Sequence, residues 1–279
     1  MNSAYSIKPT AIGTRYSITH PCKEINYMKV YFIGAGPGDP ELLTLKAKRL
    51  LSNCPICIYA GSLINPAVLD HLPADAERYD SALMSLDEIT VMFQAAQQRD
   101  LDVVRLHSGD PSIYGAIREQ MNELDRFGIG YEVVPGVSSF QAAAAALCTE
   151  LTAPEISQTI ILTRTAGRTP MPEDQDLLKL AKSNATLCIF LSAHKIGEVA
   201  KTLAEPYGGQ CPVAVVYHAS WPDQLVLRGT LADIGAQADT AGITKTAMIV
   251  VGWALSRDIP VSKLYDAAFT HEYRQGRSS

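Results

Sequence analysis

The sequence predicts an α/β protein made of two α/β domains with mainly parallel sheets. Short runs rich in β-branched and aromatic residues alternate with longer helical patterns, and this alternation indicates parallel strands joined by helical crossovers. The chain has 279 residues, of which 47% are hydrophobic, and this length is sufficient for two domains. Turns rich in glycine and proline follow several of the predicted strands.

The first series of elements begins at Lys29, where the pattern becomes regular. In the first turn, Asp39 is placed to cap a helix, and Pro40 suits the first helical turn because proline lacks the N–H that would be unpaired there. Strands and helices then alternate. The predicted strands are residues 29–35, 55–60, 102–109 and 131–136, and the predicted helices are residues 41–53 and 86–99.

A second series of elements follows a natural join at residues 150–158. Its predicted helices, 197–209 and 231–242, each close on glycine, and residues 141–148 before the join are strongly helix-forming. The predicted strands are residues 159–164, 186–192, 212–219, 224–231 and 246–252. We therefore divide the chain into an N-terminal extension without sustained periodicity (1–27), an N-terminal α/β domain (28–150), a linker (151–158) and a C-terminal α/β domain with its tail (159–279).

The composition argues against several classes of function. The formal net charge is -5, so the chain lacks the global basic field expected of a nucleic-acid-binding protein. No uncharged apolar run approaches the roughly 18 residues that a membrane span needs. The first residues lack the apolar core of a secretory signal, and we expect a cytoplasmic protein whose thiols stay reduced.

Six cysteines are scattered along the chain, and Cys54 and Cys57 form a C-x-x-C. Such a pair is compatible with redox chemistry or with half of a metal site. A core role is favoured because the pair runs straight into an apolar strand, and no second C-x-x-C or H-x-x-x-H completes four ligands. A redox pair also normally lies at a helix start, where the thiolate is stabilised. We therefore predict small core residues and no metal site.

The turn after the first strand, GAGPGDP, places Gly34, Gly36 and Gly38 around Pro37. Glycine permits backbone conformations closed to other residues and allows a ligand to approach closely. The turn lacks the Gly-Lys-Ser/Thr of a nucleotide P-loop. Its G-x-G-x-G spacing differs from the dinucleotide fingerprint, and the second strand ends without the carboxylate that usually holds a ribose. By itself the turn fits a structural role nearly as well as a ligand site.

Two further loops of similar composition follow later strands of the same series, HSGDPSIYG (107–115) and PGVSSF (135–140). The carboxyl ends of parallel strands meet at one edge, which is where open α/β sheets bind ligands. Asp110, Ser138 and Ser139 each also have a structural interpretation as helix caps, which does not exclude binding. Three such loops at one edge favour a ligand site.

Two sets of motifs occur along the chain. The first half contains GAGPGDPELLT, YAGSL, GDPSIYG and VVPGVSS, and the second half contains ILTRTAGRTPMP, VVYHASWPDQ, IVVGWAL and SKLYDAAFTHEYR. The first set resembles the motifs of the tetrapyrrole methylase family, and the second set is similar to the branch of that family that acts in corrin synthesis. The resemblance runs from about Met28 to the C-terminus. It implies two α/β domains with S-adenosylmethionine bound in a folded form in the cleft between them, and usually a homodimer.

The resemblance further implies methyl transfer from S-adenosylmethionine to C11 of precorrin-4, and the sequence leaves open whether this tetrapyrrole carries cobalt. Asp110 would offer its carboxylate to the amine or hydroxyls of the cofactor. Leu191 and Ala219 follow apolar strands and suit contact with adenine, although core packing would be their interpretation without the resemblance. The cofactor contacts that the resemblance implies are Pro37, Ser108, Gly109, Asp110, Ile113, Ser138, Ser139, Leu191 and Ala219.

The methyl group of a sulfonium is already electrophilic, so we predict neither a nucleophilic residue nor a covalent enzyme intermediate. A weak base could assist proton loss from the macrocycle, and Tyr114 and His107 are the candidates, each with an ordinary structural interpretation. The substrate carries many carboxylates, which favour arginine. Arg164 and Arg168 share a loop at a strand end and fit carboxylate binding better than solvation alone. Trp221 is equally suited to contact the macrocycle and to occupy a core position.

Two other functions stay open. A sibling methyltransferase, acting at another ring position or on uroporphyrinogen III, would share the cofactor motifs. A non-catalytic protein that binds the cofactor or a tetrapyrrole would share the fold. The motifs around Arg164 and Trp221 favour the C11 branch, and intact loops at every cofactor position favour an enzyme.

Overall fold

The first five strands form one parallel sheet, as the alternating sequence pattern predicts. The computed structural model describes residues 28–167, 169–262, 266 and 268–276. The strands are β1 Lys29–Gly34, β2 Ile56–Tyr59, β3 Glu77–Asp80, β4 Val103–His107 and β5 Gly130–Val134. Their order is β3-β2-β4-β1-β5, and every pairing is parallel. The loops after β4, β1 and β5 are therefore neighbours at one edge.

Strand β3 was not predicted, because its sequence ERYD is polar. It lies at the end of the sheet, with its side chains alternately half-buried and exposed. Such a strand buries little apolar surface, so the apolar alternation by which strands are recognised is missing. Arg99 forms an ion pair with Glu77 of this strand.

Four helices accompany the first sheet. The predicted helix 41–53 is interrupted: a 3-10 turn covers Pro40–Leu42 with Asp39 as its cap, and an α-helix starts only after Thr44, whose hydroxyl caps it. The longest helix begins at a capping box, in which Ser85 and Glu88 satisfy each other's backbone N–H groups. The helices are α1 Leu45–Leu51, α2 Pro66–Leu69, α3 Leu86–Gln98 and α4 Ile117–Phe127.

Both faces of the first sheet are buried, as helical crossovers require. On one face Leu106 packs in a cluster with Leu51 of α1 and Val68 of α2. On the other face Phe32 packs with Phe93 of α3 and with residues of α4. Residues at alternate positions of β4 therefore face different helices, and its last residues reach the carboxyl edge of the sheet.

Five further strands form a second sheet, at the predicted positions. They are β6 Ile160–Arg164, β7 Thr186–Phe190, β8 Pro212–Tyr217, β9 Leu225–Thr230 and β10 Ala247–Val251. The order is β6-β7-β10-β8-β9. Two sheets with flanking helices confirm the α/β fold class.

The second sheet departs from the expectation of mainly parallel strands. Only β6 and β7 are parallel, whereas β10 is antiparallel to both β7 and β8, and β8 is antiparallel to β9. Strands β8 and β9 are antiparallel because only seven residues join them, which are too few for a helical crossover and form a hairpin connection. The start of β10 consequently lies at the same edge as the ends of β7 and β8.

Four more helices complete the described part of the fold. They are α5 Ser139–Ala146, α6 Leu177–Ala181, α7 Ile196–Tyr207 and α8 Ile234–Thr240. The small side chains Ala142 and Ala143 of α5 pack against residues of the second sheet. Helix α5 thus packs against the second sheet, although the predicted boundary assigns it to the first domain. The division of the chain at 151–158 stays a prediction.

The predicted extension, residues 1–27, lies outside the described residues. Within the described part of the chain, no helix combines the length and the apolar character that crossing a membrane requires.

Candidate functional site: a cleft between the two sheets

The three glycines after β1 are needed for three different reasons. An added Cβ on Gly34 would lie 2.5 Å from the carbonyl oxygen of Gly109. Gly36 has a φ of +73° and forms an antiparallel bridge with Gly109, which joins the loops after β1 and β4. Gly38 lies against the indole of Trp221, where a Cβ would be 2.0 Å from Cδ1. The turn thus brings two other loops close to its backbone.

Trp221, in the loop after β8, is fixed against the glycine turn. Its Nε1 donates a hydrogen bond to the carbonyl oxygen of Pro37 at 2.9 Å, and its ring stacks on that of His218 with centroids 4.7 Å apart. Next to it, the hydroxyl of Ser220 accepts a hydrogen bond from the N–H of Asp39 at 3.0 Å. These contacts join the first half of the chain to the second at one end of a cleft.

Asp110 links the loop after β4 to the loop after β5. One carboxylate oxygen accepts hydrogen bonds from the N–H and hydroxyl of Ser112, and the other accepts one from the N–H of Gly136 at 3.0 Å. Burial raises the pKa of Asp110, but these hydrogen bonds outweigh burial and hold the pKa below its usual value. The structural interpretation of Asp110 as a cap and its predicted place beside a ligand are therefore compatible.

A cleft of about 510 Å³ lies between the carboxyl edge of the first sheet and the second sheet. Its volume is within the range of about 300–1,000 Å³ typical of small-molecule sites. All nine predicted cofactor contacts are in its wall, as are Tyr114, His107 and Trp221. Those nine are Pro37, Ser108, Gly109, Asp110, Ile113, Ser138, Ser139, Leu191 and Ala219.

His107, the last residue of β4, is 6% exposed. Burial, and to a smaller extent the charge of Arg105, lower the pKa of His107 to about 3. The imidazole is therefore neutral near pH 7 and has little tendency to accept a proton. The predicted role of His107 as a weak base is not supported for this reason. Its Nε2 is buried and has no hydrogen-bond partner among the described residues.

Tyr114 is a half-exposed side chain of the cleft wall, with a φ of +56°. Its ring lies against that of Phe190, with centroids 5.2 Å apart. Burial raises the pKa of Tyr114, while the charge of Arg164 lowers it less strongly. The phenol is thus protonated near pH 7, so it is suited to donate a hydrogen bond to a ligand rather than to accept a proton.

The guanidinium of Arg164 is engaged by its own loop. Its Nη1 donates to the carbonyl oxygens of Thr165 at 3.1 Å and Thr169 at 3.2 Å, and its Nη2 donates to that of Pro170 at 2.8 Å. The side chain lines a separate cavity of about 190 Å³ and not the main cleft. Carbonyl oxygens hold its donors in this structure, so binding a substrate carboxylate would require Arg164 to exchange these partners, and that role stays a prediction. Arg168, predicted beside it, lies outside the described residues.

Several residues of the cleft wall were missed by sequence reasoning. Residues 244–248 line the cleft because β10 is antiparallel, whereas a parallel strand would have put them at the opposite edge. Arg105 lies inside a predicted strand, and the loop that contains YAGSL has no charged side chain, so neither gives a local signal of a ligand site. The residues missed are Ala60, Ser62, Leu63, Arg105, Gly115, Phe190, Ala193, His194, Val216, His218 and the segment 244–248.

Cys54 and Cys57 are buried, at 3% and 0% exposure. Burial raises the pKa of Cys54 to about 11 and that of Cys57 to about 12. The Cys54 thiol donates to the carbonyl oxygen of Ile56 and accepts from the N–H of Val104. Such thiols are unreactive, which supports the predicted core role. The described residues include no group of three His, Cys, Asp or Glu side chains suited to hold a metal ion.

The chain belongs to the tetrapyrrole (corrin/porphyrin) methylases, whose family model matches residues 29–235. Among its relatives is the cobalt-precorrin-4 C(11)-methyltransferase of Methanocaldococcus jannaschii, which is 52% identical over 90% of this chain and 97% of the relative. The precorrin-4 C(11)-methyltransferase of Rhodococcus erythropolis is 50% identical over 86% of this chain and 97% of the relative.

Two solved structures are also similar to this chain. A cobalt precorrin-4 methyltransferase, described as a cobalamin biosynthetic enzyme, is 45% identical with a TM-score of 0.80, over 82% of this chain and 96% of the other. The uroporphyrin-III C-methyl transferase of Thermus thermophilus, complexed with S-adenyl homocysteine, is 29% identical with a TM-score of 0.69. That match covers 81% of this chain and 93% of the other.

Proposed function

We propose that this protein transfers a methyl group from S-adenosylmethionine to C11 of precorrin-4 or cobalt-precorrin-4 in corrin-ring synthesis. The observation that carries the proposal is the pair of relatives at 52% and 50% identity, both named as C(11)-methyltransferases and both matched over nearly their whole length. A cleft of suitable volume with the predicted loops in its wall supports the same proposal.

The nine predicted contacts form a plausible cofactor site by their chemistry. Ile113, Leu191 and Ala219 supply apolar surface of the kind that an adenine ring packs against, and Ser138 and Ser139 supply hydroxyl groups. The solved relative from Thermus thermophilus, which is complexed with S-adenyl homocysteine, supports this choice of cofactor. When bound, the cofactor supplies an electrophilic methyl group.

In this proposal the protein acts chiefly by positioning. Holding reactants in line supplies on the order of 7–11 kcal/mol of a barrier in favourable systems. The indole of Trp221 is fixed by its hydrogen bond to Pro37 and gives a macrocycle a rigid aromatic surface. The hydroxyl of Tyr114 is available in the cleft wall as a hydrogen-bond donor to the substrate. Any cobalt belongs to the substrate, as a part of the macrocycle.

The test is an incubation of the purified protein with labelled S-adenosylmethionine and each of three substrates: precorrin-4, cobalt-precorrin-4 and uroporphyrinogen III. Label at C11, located by NMR, supports the proposal, and the better of the first two substrates decides the question of cobalt. Label at another position or on uroporphyrinogen III identifies a sibling methyltransferase. Binding without transfer would make the protein a non-catalytic binding protein.

A substitution that places a larger side chain in the proposed cofactor site tests that site directly. Ala219 is 7% exposed in the cleft wall, so Ala219→Leu places a larger side chain where we propose the cofactor binds. We expect calorimetric affinity for S-adenosylhomocysteine to fall by about tenfold or more. Ala241→Leu, at an exposed position outside the cleft wall, is the matched control and should bind as the wild type does. Equal affinity in all three proteins would remove Ala219 from the site.

We further propose that the enzyme is a homodimer, as the family resemblance implies, and that it acts in the cytoplasm. Ile160 and Leu162 of the edge strand β6 are 36% and 37% exposed, which leaves apolar surface for a second copy. Light scattering coupled to size exclusion tests the dimer, and a monomer at micromolar concentration would contradict it. Fractionation of the source cells tests the compartment.

A further inference from the structure

Arg105 places a buried positive charge in the cleft wall. It lies in the middle of β4, is 6% exposed and forms no ion pair with a described carboxylate. Its Nε donates to Oε1 of Gln120 at 3.0 Å, and its Nη1 donates to the carbonyl oxygen of Ile58 at 3.3 Å. Its Nη2 makes no hydrogen bond to any described residue. Burial lowers the pKa of Arg105 to about 10, so the guanidinium stays charged near pH 7.

The neighbouring group on the same side of β4 is also unsatisfied. His107 follows two positions later, so its side chain is on the same face of the strand, and its buried Nε2 lacks a partner. Buried polar atoms in native proteins almost always have a partner, and an unpartnered one indicates a ligand or an ordered water. A charged group without a described counter-ion and a buried nitrogen without a partner therefore adjoin one cleft.

The surroundings indicate what such a ligand would be. Buried charges are normally paired, so the group opposite Arg105 is expected to be an anion. A guanidinium presents its donors as a planar fork that matches a carboxylate. Ser62, in the loop after the adjacent strand β2, adds a hydroxyl to the same wall. The proposed cofactor contacts in the first half of the chain follow β1, β4 and β5. Arg105, His107 and Ser62 instead extend from β4 toward β2, on the other side of β4 from β1.

We propose that the buried side chains of Arg105 and His107, with the exposed hydroxyl of Ser62 in the same cleft wall, form a subsite that binds one carboxylate side chain of the tetrapyrrole substrate. This inference rests on the proposed function, because it assigns the anion to the macrocycle and not to the cofactor. A carboxylate seated there fixes the orientation of the ring in its plane. Arg105 is thus a specificity-determining residue for a substrate whose carboxylates surround the ring.

The inference makes an unusual prediction for stability. A buried charge without a counter-ion destabilises the free protein, and an apolar side chain of similar length removes this cost. The substitution also leaves Oε1 of Gln120 and the carbonyl oxygen of Ile58 without their donor, which opposes that gain. Arg105→Met should therefore melt close to the temperature of the wild type, and not far below it. The same variant should raise KM for the substrate by about 10- to 100-fold, the effect of losing a charge-assisted hydrogen bond. Arg126→Met, at an exposed arginine of α4 outside the cleft, is the matched control and should change neither quantity.

The experiment measures melting temperature, affinity for S-adenosylhomocysteine and the kinetics of methyl transfer in these three proteins. Unchanged cofactor affinity with raised KM supports the proposal. A wild-type KM in Arg105→Met overturns it, and so does loss of cofactor affinity with KM retained, which would assign Arg105 to the cofactor. If Arg105→Met does not fold, Arg105→Lys and Ser62→Ala take its place, and wild-type KM values in both overturn the proposal.

A second readout does not depend on the proposed reaction. Sodium propionate, a small carboxylate, should raise the melting temperature of the wild type more than sodium chloride at equal ionic strength. This difference should disappear in Arg105→Met and persist in Arg126→Met. Propionate protection in a wild type that transfers no methyl group would refute the proposed function and leave the subsite standing. Equal protection of wild type and Arg105→Met would overturn the subsite even in an active methyltransferase.

Discussion

Gly38→Ala is the substitution that tests the glycine turn most directly. The added Cβ would lie 2.0 Å from Cδ1 and 2.2 Å from Nε1 of Trp221, far inside any van der Waals contact. The indole must move by more than an ångström to accommodate it. Trp221 is held from two sides, by the carbonyl oxygen of Pro37 at 2.9 Å and by the stacked ring of His218. The movement therefore loses both interactions.

The magnitude follows from these two interactions. A neutral hydrogen bond contributes about 0.5–1.5 kcal/mol to stability, and a stacked aromatic pair contributes a similar amount of about 0.5–1.5 kcal/mol beyond its buried area. We expect Gly38→Ala to lower the free energy of unfolding by about 1–3 kcal/mol, which is also the usual cost of overpacking a close-packed site. Affinity for S-adenosylhomocysteine should fall as well, because Pro37 and Trp221 are both in the cleft wall.

Urea denaturation and calorimetric titration measure the two effects, and a double-mutant cycle assigns the cause. In a Trp221→Ala background the methyl group of Gly38→Ala meets no indole and should cost little. An equal loss of stability in both backgrounds would refute the steric reasoning. Gly197→Ala is the control. Gly197 lies in α7, and a Cβ added to it would meet no atom within 4 Å. This substitution should be neutral or stabilising by up to about 1 kcal/mol.

Four further predictions follow from the described contacts. Asp110→Asn should lower the free energy of unfolding by about 1.5–3 kcal/mol, because charge-assisted hydrogen bonds join two loops; an unchanged urea midpoint would contradict this. Cys54→Ser with Cys57→Ala should leave methyl transfer nearly intact, and a folded but inactive double variant would show that the thiols matter. Arg164→Ala should loosen its own loop and raise KM while cofactor affinity stays constant, and loss of cofactor affinity instead would place this loop on the cofactor side. The pKa of His107 is about 3 in the folded protein, against an ordinary value of 6.5, so the imidazole of the folded protein is neutral above about pH 3. The unfolded chain therefore binds an extra proton below about pH 6.5, and stability should fall with falling pH in that range. Urea titrations should show a smaller loss for His107→Gln, and an identical pH dependence would refute the assignment.

The part of the site that the sequence could predict is the part built from turn chemistry. Glycine, proline and aspartate at the ends of parallel strands carry their own conformational signals, and parallel strands necessarily bring those ends to one edge. The bridge between Gly36 and Gly109 and the hydrogen bond from Gly136 to Asp110 realise that expectation. The nine implied contacts line one cleft in the structure, and their binding role stays a prediction.

The parts of the fold and site that the sequence could not predict are those fixed by contacts between distant parts of the chain or with the backbone. The strand 247–251 has the same apolar composition whether it runs parallel or antiparallel, so nothing local places residues 244–248 in the cleft. Helix α5 is alanine-rich on every side, and the sheet on which it packs is not encoded in its periodicity. The engagement of Arg164 by carbonyl oxygens likewise depends on the path of its loop. In each case the deciding contact is made by residues distant in the sequence or by backbone groups.

The charge of the cleft is a local property that the net charge of -5 conceals. The charged side chains in its described wall are Arg105, Asp110 and Lys245. The carboxylate of Asp110 already accepts hydrogen bonds from Ser112 and Gly136, so its charge is largely satisfied within the protein. Arg105 donates hydrogen bonds to Gln120 and to backbone carbonyl oxygens, but it has no described carboxylate as a counter-ion. Lys245 is exposed at the opposite wall. The cleft of an acidic protein thus has two basic side chains in its wall and one carboxylate whose acceptors are occupied, an arrangement that suits the tetrapyrrole with many carboxylates proposed above.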